Sequence, residues 1–173
     1  MSYTDFVLNS GRIVLEGISE KFKEEIFKEF DEEITRYMHP KPPVQIQETI
    51  TFIRNVRKDL ASGSQIVACV LTRDTHEFLG CVGLHDINSN CPELGVWIKK
   101  SAHGNGYGKE AIQALKKWAD EHLDYQYIKY PVDVKNVPSR RIPESMGGVV
   151  GRVYQQKNLS GRILDIFEYR IFC

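Results

Sequence analysis

The sequence predicts an α/β fold in which helices pack on a mixed sheet, formed as a single domain over residues 1–173. Apolar residues recur at helical spacing in some segments and form short runs rich in Val and Ile in others. No internal repeat and no linker divides the chain. A chain of this length buries about two-thirds of the surface that its unfolded form exposes, so one core suffices.

The first predicted elements are a strand and a helix. The run Arg12–Ile18 is typical of a strand. Ser19 is a residue type that caps helices, and apolar residues follow it at helical spacing. The apolar face of this helix carries Phe22, Ile26, Phe27 and Phe30. The segment His39–Pro43 contains three prolines and ends the helix.

A second helix and three strands come next. The second helix ends at Ser62-Gly63, because glycine commonly follows the last helical turn. Its apolar face carries Ile46, Ile50, Ile53, Val56 and Leu60. Three runs joined by short turns then predict an antiparallel meander. These runs are Ile66–Thr72, Phe78–Ile87 and Glu93–Lys99.

The remaining chain predicts two helices and three strands. A helical stripe follows a glycine cluster and carries Ala111, Ile112, Leu115, Ala119, His122 and Leu123. The later elements are a strand Tyr127–Val134, a short helix Asn136–Met146 and a hairpin of Val149–Gln155 with Ile163–Phe172. The predicted order is therefore β-α-α-β-β-β-α-β-α-β-β.

The charge composition argues against two classes of partner. Lys plus Arg and Asp plus Glu each number 23, so the net charge is zero and no overall field attracts nucleic acid. No apolar run approaches the roughly 20 residues that span a bilayer. Residues 1–10 lack the basic and apolar parts of a signal peptide. We expect a cytoplasmic protein that binds neither nucleic acid nor membrane.

The cysteines and histidines show no metal-binding pattern. Cys69, Cys81, Cys91 and Cys173 form no C-x-x-C pair. None of the five histidines has the i, i+4 spacing around a glutamate that a helical zinc site shows. We expect no metal and no disulfide.

A glycine-rich loop is the most specific feature of the sequence. Within Glu93–Ala111 a strand passes through Gly104, Gly106 and Gly108 directly into a helix. Glycines let the backbone turn tightly and approach a ligand, and the first N–H groups of the helix attract an anion. The segment predicts a phosphate-binding loop, with a plain connecting turn as the alternative.

Two familiar phosphate-binding loops do not match the spacing. A P-loop requires glycine where His103 stands and Ser or Thr where Glu110 stands. A dinucleotide loop requires G-x-G-x-x-G, whereas this loop reads G-x-G-x-G and follows a late strand of a meander. Nucleotide triphosphatase and Rossmann functions are therefore disfavoured.

The loop resembles the acetyl-CoA loop of the GNAT family of N-acetyltransferases. That family's pattern is Gln or Arg, two residues, Gly, one residue, and Gly or Ala at the helix start. The run His103–Gly108 follows the pattern in every place except the first. The resemblance implies a cofactor site made of His103, Gly104, Asn105, Gly106, Tyr107, Gly108 and Lys109.

A second segment resembles the same family independently. Residues 132–147 look like its second cofactor strand and helix, in which an Asn-x-x-Ser pattern corresponds to Asn136 and Ser139. The resemblance implies that Asn136 holds the pantetheine arm and that Ser139 lies near the thioester sulfur. Pro143 and Gly148 depart from the family pattern, so a reshaped acceptor pocket is expected.

The resemblance spans nearly the whole chain and is strongest to the RimJ/RimL branch, through the strands Leu79–His85 and Glu93–Ile98. It implies the GNAT fold and direct attack of an amine on the thioester of acetyl-CoA. The acceptor is then a protein N-terminal amine or a small-molecule amine. The backbone edge of Val96, Trp97 and Ile98 is expected to pair with the pantetheine amides.

Glu93 opens the strand that leads to the loop and is the candidate base, with a strand-end carboxylate that faces solvent as the alternative. The resemblance implies Ser139 and Tyr154 as the candidate acids for the departing thiolate. His85 and Asp86 are adjacent on a strand and so point to opposite faces, which leaves one site residue and one turn residue. The alternative function is a non-catalytic acyl-CoA-binding module. The closing strands are also compatible with a homodimer.

Overall fold

A computed structural model describes residues 1–173 and contains one sheet of eight strands with five α-helices around it. The strands are β1 (Val7–Ser10), β2 (Ile13–Gly17), β3 (Ile66–Thr72), β4 (Phe78–His85), β5 (Glu93–Ile98), β6 (Ile128–Asp133), β7 (Val149–Lys157) and β8 (Ile163–Ile171). The helices are α1 (Lys23–Glu29), α2 (Glu32–Thr35), α3 (Ile46–Ser62), α4 (Tyr107–His122) and α5 (Val137–Ser145).

The sheet is antiparallel except at its centre, and its strand order is β1-β2-β3-β4-β5-β6-β8-β7. Strands β1 to β5 form a meander, with β4 and β5 paired along their length from Gly80–Ile98 to His85–Glu93. The parallel neighbours β5 and β6 pair only at Glu93 and Lys129. The two central strands therefore separate beyond Glu93, and the β5 edge facing β6 is left unpaired.

Helices cover both faces of the sheet and divide the core in two. On one face α4 buries Ile112, Leu115 and Ala119 against the sheet. On the other face α1 and α3 bury a smaller cluster that includes Ile53 and Leu60. Burying these apolar side chains provides the main driving force for the fold, because each isoleucine or leucine contributes roughly 1.5–3 kcal/mol when fully buried.

Local capping sets the ends of α3. The Gln45 side chain accepts from the backbone of Glu48, and the Glu48 carboxylate accepts from the Gln45 backbone N–H at 2.8 Å, which forms a capping box. Gly63 ends the helix with a φ of 74°. This left-handed conformation suits glycine because it has no Cβ.

The predicted fold class is confirmed, and most predicted elements lie within two residues of the observed ones. Strand β1 and the four-residue α2 were not expected. Strand β1 has no buried residue, so it carries no apolar run in the sequence. Ser19 precedes a short 3₁₀ turn and its side chain makes no capping hydrogen bond, so the predicted Ser19 cap is wrong.

Candidate active site

A cavity of about 710 Å³ opens where β5 and β6 separate, on the face of the sheet covered by α3. Its floor comes from β4 and β5, one wall from α3, and the opposite wall from β7 and β8. Aromatic side chains are prominent in the lining: Phe30, Tyr37, Phe52, Trp97, Tyr130 and Tyr154. The cavity is large enough for a small ligand and is mainly apolar, with a few polar groups.

The proline segment forms the roof of this cavity by docking on the hairpin of β7 and β8. The Leu159 N–H donates to the His39 carbonyl at 2.9 Å. The Asn158 amide donates to the Met38 carbonyl at 3.2 Å, and Gln156 lies 3.1 Å from the His39 ring. Because prolines restrict the backbone of this segment, the roof of the cavity is held in place.

Glu93 begins β5 at the point where the central strands separate, and it lines the cavity. Burial raises the pKa of the Glu93 carboxyl above its usual value, and the nearby Lys129 opposes that shift. The Lys129 ammonium lies 3.8 Å from the carboxylate. The negative charges of Asp86 and Glu168 raise the pKa of Glu93 further. Such a carboxyl is suited to receiving a proton near neutral pH.

His85 lies directly opposite Glu93 in the β4–β5 ladder, so the two side chains share the cavity face of the sheet. Its Nδ1 atom lies 2.5 Å from the Gln65 Oε1 atom. The Gln65 amide nitrogen donates in turn to the Asp59 carboxylate at 2.7 Å. Burial lowers the pKa of the His85 imidazole, and the charge of Asp86 partly offsets this effect.

Ser139 and Tyr130 meet at the β6 side of the cavity. Their hydroxyl oxygens are 2.8 Å apart, and both residues line the cavity. Burial raises the pKa of Tyr130 to about 12, and the hydrogen bond with Ser139 opposes this increase. Asn136 precedes α5, and its side chain accepts from the Ser139 backbone N–H at 3.4 Å.

Tyr154 lies on β7 at the opposite wall of the cavity. Burial raises the pKa of its hydroxyl, and the charges of Glu168 and Glu93 add to the increase. The Arg152 guanidinium stands 4.7 Å from the centre of its ring and fixes the ring from one side. Tyr154 therefore holds its proton at neutral pH.

The glycine loop lies at the other end of β5, on the order of 17 Å from Glu93 at roughly 3.3 Å per strand residue. Gly104 and Gly106 both have a φ of 78°, which other residues rarely adopt. The backbone N–H groups of residues 104–109 make no hydrogen bond within the chain. This row of free donors at the start of α4 suits an anion.

Arg12 supports the loop from the turn between β1 and β2. Its guanidinium donates to the Asn105 carbonyl at 2.9 Å and to the Glu110 carboxylate, and it lies 4.7 Å from the centre of the Tyr107 ring. His103 donates from Nε2 to the Ile98 carbonyl at 2.6 Å, so its ring folds back onto β5. Lys109 is exposed.

The structure therefore brings the predicted catalytic side chains of Glu93, Ser139 and Tyr154 together around one cavity. Among the predicted cofactor residues, Val96, Trp97 and Asn136 also line it, while residues 103–109 lie beyond the far end of β5. The Trp97 ring packs on Phe30 with centroids 4.9 Å apart. The backbone of Trp97 has no strand partner on the β6 side.

The departure at Gly148 has a packing reason. A Cβ at this position would lie 2.8 Å from the Pro143 carbonyl oxygen and 3.2 Å from the Ile171 side chain. The Gly148 N–H donates to the same carbonyl at 2.9 Å. Pro143 is buried inside α5, which nevertheless continues to Ser145. The close approach of the α5 backbone therefore explains glycine at position 148.

Sequence reasoning missed three residues that organise the site: Arg12, Asp59 and Gln65. The local sequence around Arg12 indicates only a strand, and the contact with Glu110 joins residues 98 positions apart. Gln65 precedes β3 without any local motif. The one sequence signal for this part of the site is His85, which ends a strand and lies on the floor of the cavity.

Comparisons with known proteins agree with this arrangement. Residues 12–149 match the acetyltransferase (GNAT) domain. A curated relative from Bacillus licheniformis, an uncharacterized N-acetyltransferase called p20, is 22% identical over 82% of this chain and 81% of its own length. None of the helices here is both long enough and apolar enough to span a membrane.

Solved structures share the fold at low sequence identity. RimL, a ribosomal L7/L12 alpha-N-protein acetyltransferase in complex with coenzyme A, superposes with a TM-score of 0.86 at 14% identity over 96% of this chain and 98% of its own. MccE, a microcin C7 self-immunity acetyltransferase in complex with acetyl-CoA and AMP, gives 0.81 at 19% identity over 94% and 93%. An acetyltransferase of the GNAT family from Bacillus anthracis gives 0.81 at 18% identity over 96% and 98%.

These matches confirm the resemblance that the glycine loop suggested. The domain match covers well over half of the chain and includes the loop, β5 and α5. The chain therefore belongs to the GNAT family of acetyltransferases, which transfer an acetyl group from acetyl-CoA.

Proposed function

We propose that this protein transfers the acetyl group of acetyl-CoA to a primary amine, either a protein N-terminal amine or that of a small molecule, by direct attack. The observation that carries the proposal is the shared cavity of Glu93, Ser139 and Tyr154, which the β5 strand connects to a loop of free N–H donors. RimL, which shares the fold, is a ribosomal L7/L12 alpha-N-protein acetyltransferase, and this supports the first class of acceptor.

The residues present fit acetyl-CoA in two respects. The free N–H groups of residues 104–109 suit the pyrophosphate, and a Cβ at Gly104 or Gly106 would meet no backbone, so the loop surface is open. The β5 edge from Val96 to Ile98 has no strand partner on the β6 side, so its backbone is available to the pantetheine amides. Asn136 and Ser139 face the same region of the cavity.

Three side chains then handle the reacting groups. The Glu93 carboxylate attracts the ammonium of the acceptor and takes its first proton, directly or through water. Ser139, whose hydroxyl is hydrogen-bonded to Tyr130, donates a proton to the departing thiolate. Tyr154 lies on the opposite wall as the second candidate acid, and its raised pKa keeps the proton in place until the thiolate forms.

Carboxylates in the cavity lining support a cationic acceptor. Glu93 and Glu48 both line the cavity, and Glu168 is close enough to Glu93 to raise its pKa. A primary amine arrives mostly protonated at neutral pH, because its pKa is about 7.7–8.0 for a protein N-terminus and about 10.4 for an alkyl amine such as a lysine side chain. The Glu93 carboxylate, with the negative charge of Glu168 near it, therefore favours its binding over that of an anionic ligand.

The other sequence expectations stay predictions that particular features support. The eight strands form one sheet, which supports a single domain over residues 1–173. Strand β7 is an edge strand with exposed Val149, Val150 and Val153, which is compatible with pairing between two copies. We propose a cytoplasmic location on the composition alone.

Calorimetric titration with acetyl-CoA tests the proposal, together with a Gly106→Glu variant. The variant places bulk and negative charge in the loop, so we expect binding to the parent and none to the variant. Gly161→Glu is the matched control, because Gly161 also has a positive φ and open surroundings but lies in the β7–β8 turn. Folded parent protein that fails to bind acetyl-CoA would contradict the proposal.

A thiol-release assay then tests transfer itself. We expect free coenzyme A to form when acetyl-CoA and either a peptide with a free N-terminal amine or a small primary amine are supplied. Binding of acetyl-CoA without amine-dependent thiol release would favour the alternative of a non-catalytic acyl-CoA-binding module.

A further inference from the structure

The His85 imidazole occupies a position in the cavity that the proposed reaction does not yet use. It stands opposite Glu93 on the neighbouring strand, and both residues line the cavity. Its ring lies over Gly83, so closely that a Cβ at that position would be 2.5 Å from Nε2. Gly95, the ladder partner of Gly83, has open space above it. The imidazole therefore borders a part of the floor without side chains.

A chain of hydrogen bonds fixes which nitrogen of His85 carries the proton. The Asp59 carboxylate can only accept, so the Gln65 group that contacts it at 2.7 Å is the amide NH₂. The carbonyl oxygen of Gln65 then faces His85 Nδ1 at 2.5 Å and requires a donor there. A neutral imidazole with its proton on Nδ1 has a lone pair on Nε2.

The Nε2 atom is free to act because no other group of the protein bonds to it. The only hydrogen bond of the ring is the one from Nδ1 to Gln65. Nε2 has no partner and yet is not fully buried, so it is open to the cavity. Its lone pair is therefore available to an acceptor amine above Gly95.

The charges around His85 come from four elements. They are Asp59 on α3, which acts through Gln65, Asp86 just after β4, Glu93 on β5 and Lys129 on β6, which is paired with Glu93. Burial is the largest influence and lowers the pKa of the imidazole, while the Asp86 charge acts in the opposite direction. His85 is therefore neutral, and able to accept a proton, at and above neutral pH.

The proposed acetyl transfer requires two protons to leave the acceptor nitrogen. Glu93 removes the first, which turns the ammonium into an amine with a free electron pair. The second leaves when the N–C bond forms, because the product amide carries only one hydrogen. While Glu93 holds the first proton it cannot take the second, so attack in that state uses a second acceptor.

We propose that His85 is this second proton acceptor, a catalytic base that Gln65 and Asp59 orient; the assignment rests on the proposed function. As the nitrogen attacks the acetyl carbon, Nε2 takes its proton and the imidazole becomes an imidazolium. The C–S bond breaks with its electron pair on sulfur, and the sulfur takes a proton from Ser139. The imidazolium returns its proton to Ser139 through solvent, so the net change is release of the first proton from Glu93.

Substitution of His85 separates catalysis from binding. We expect His85→Gln to lower kcat about 100-fold or more, the usual contribution of a general base, while the dissociation constant of acetyl-CoA stays unchanged. The assay is thiol release, with a short peptide amide and a small primary amine as acceptor probes. An unchanged kcat in this variant, beside an active parent, would overturn the assignment of His85 alone.

A pH profile provides a readout that a structural role would not change. In the parent, kcat is expected to fall at acid pH as the imidazole becomes protonated. The double variant Asp59→Asn with Gln65→Glu keeps the hydrogen-bond chain but puts a carboxylate next to Nδ1, which raises the pKa of the imidazole. We expect the acid side of the profile to move to higher pH, and no movement would contradict the assignment.

Nitrogen NMR of the imidazole tests the tautomer without any turnover. We expect the neutral form with the proton on Nδ1 at pH 7, and the Nε2-protonated tautomer would overturn the proposal. If the parent binds acetyl-CoA but releases no thiol with either acceptor probe, the proposed function fails first and the assignment of His85 fails with it.

Discussion

Arg12 and Glu110 are joined by two hydrogen bonds between a turn and the first turn of α4. The Arg12 backbone N–H donates to Glu110 Oε1 at 2.7 Å, and its Nε donates to Oε2 at 2.9 Å. The same guanidinium reaches the Asn105 carbonyl at 2.9 Å. The pair therefore holds the glycine loop in shape, and it neutralises a carboxylate next to the proposed pyrophosphate site.

Replacing Arg12 is expected to weaken acetyl-CoA binding. In Arg12→Gln the Glu110 carboxylate loses its ion pair and repels phosphate, so we expect a roughly tenfold higher dissociation constant, equal to about 1.4 kcal/mol. The double variant with Glu110→Gln removes that charge and should recover part of the affinity. Lys117→Gln on the exposed side of α4 is the control. Calorimetry measures the dissociation constant of acetyl-CoA for the parent and the three variants. Equal values would show that the pair has no part in binding.

Filling the cavity floor at Gly95 is expected to block the acceptor and leave the fold intact. A Cβ at this position meets no atom within 4 Å, so Gly95→Val can be accommodated, with its side chain in the cavity. We expect loss of amine-dependent thiol release with acetyl-CoA binding retained and the thermal midpoint nearly unchanged. A variant with normal kcat/KM for the amine would place the acceptor elsewhere.

Helices α3 and α4 could be predicted because their apolar spacing and end signals are local. Gly63 ends α3 in the left-handed conformation expected there, and the glycine loop precedes α4 as its pattern indicates. Strand β1 could not be predicted because none of its residues is buried and only pairing with β2 defines it. The local sequence therefore contains the signal for these helix ends and lacks one for β1.

The residues of the site could be predicted better than their positions relative to one another. The family pattern indicates Ser139 and Tyr154, the start of the strand before the loop indicates Glu93, and the three share one cavity. The pairing of His85 with Glu93 depends on the register across the turn of residues 86–92, which no local rule sets. The link from Asp59 through Gln65 depends on how α3 packs against the sheet.

Glu93→Gln is expected to reduce turnover without reducing stability at neutral pH. Burial raises the pKa of Glu93, so its ionised form is less favourable in the folded protein than in the unfolded chain. A carboxyl whose pKa is raised on folding stabilises the folded protein at pH values below its pKa in the unfolded chain. This contribution is lost as the pH rises through its pKa in the folded protein. At pH 7 the carboxylate therefore disfavours folding, and the neutral amide removes this penalty.

Thermal unfolding across pH checks this expectation. We expect the midpoint of Glu93→Gln to equal or exceed that of the parent at pH 7, and the difference to shrink as the pH falls toward the ordinary carboxyl value of 4.5. The kcat should fall about 100-fold, in line with loss of a general base. A lower midpoint at pH 7 than that of the parent would show that the ion pair with Lys129 outweighs the cost of burial.

The Ser139 and Tyr130 pair allows a catalytic role to be separated from a structural one. In Ser139→Ala the buried Tyr130 hydroxyl loses its partner at 2.8 Å, which is expected to cost about 1–3 kcal/mol of unfolding free energy. The double variant with Tyr130→Phe removes both hydroxyls, so it should regain most of that stability. If Ser139 protonates the thiolate, thiol release stays slow in the double variant, because stability returns without the proton donor. Denaturant unfolding and thiol release measured on the same three proteins test this, and recovery of turnover together with stability would assign Ser139 a structural role and leave Tyr154 as the acid.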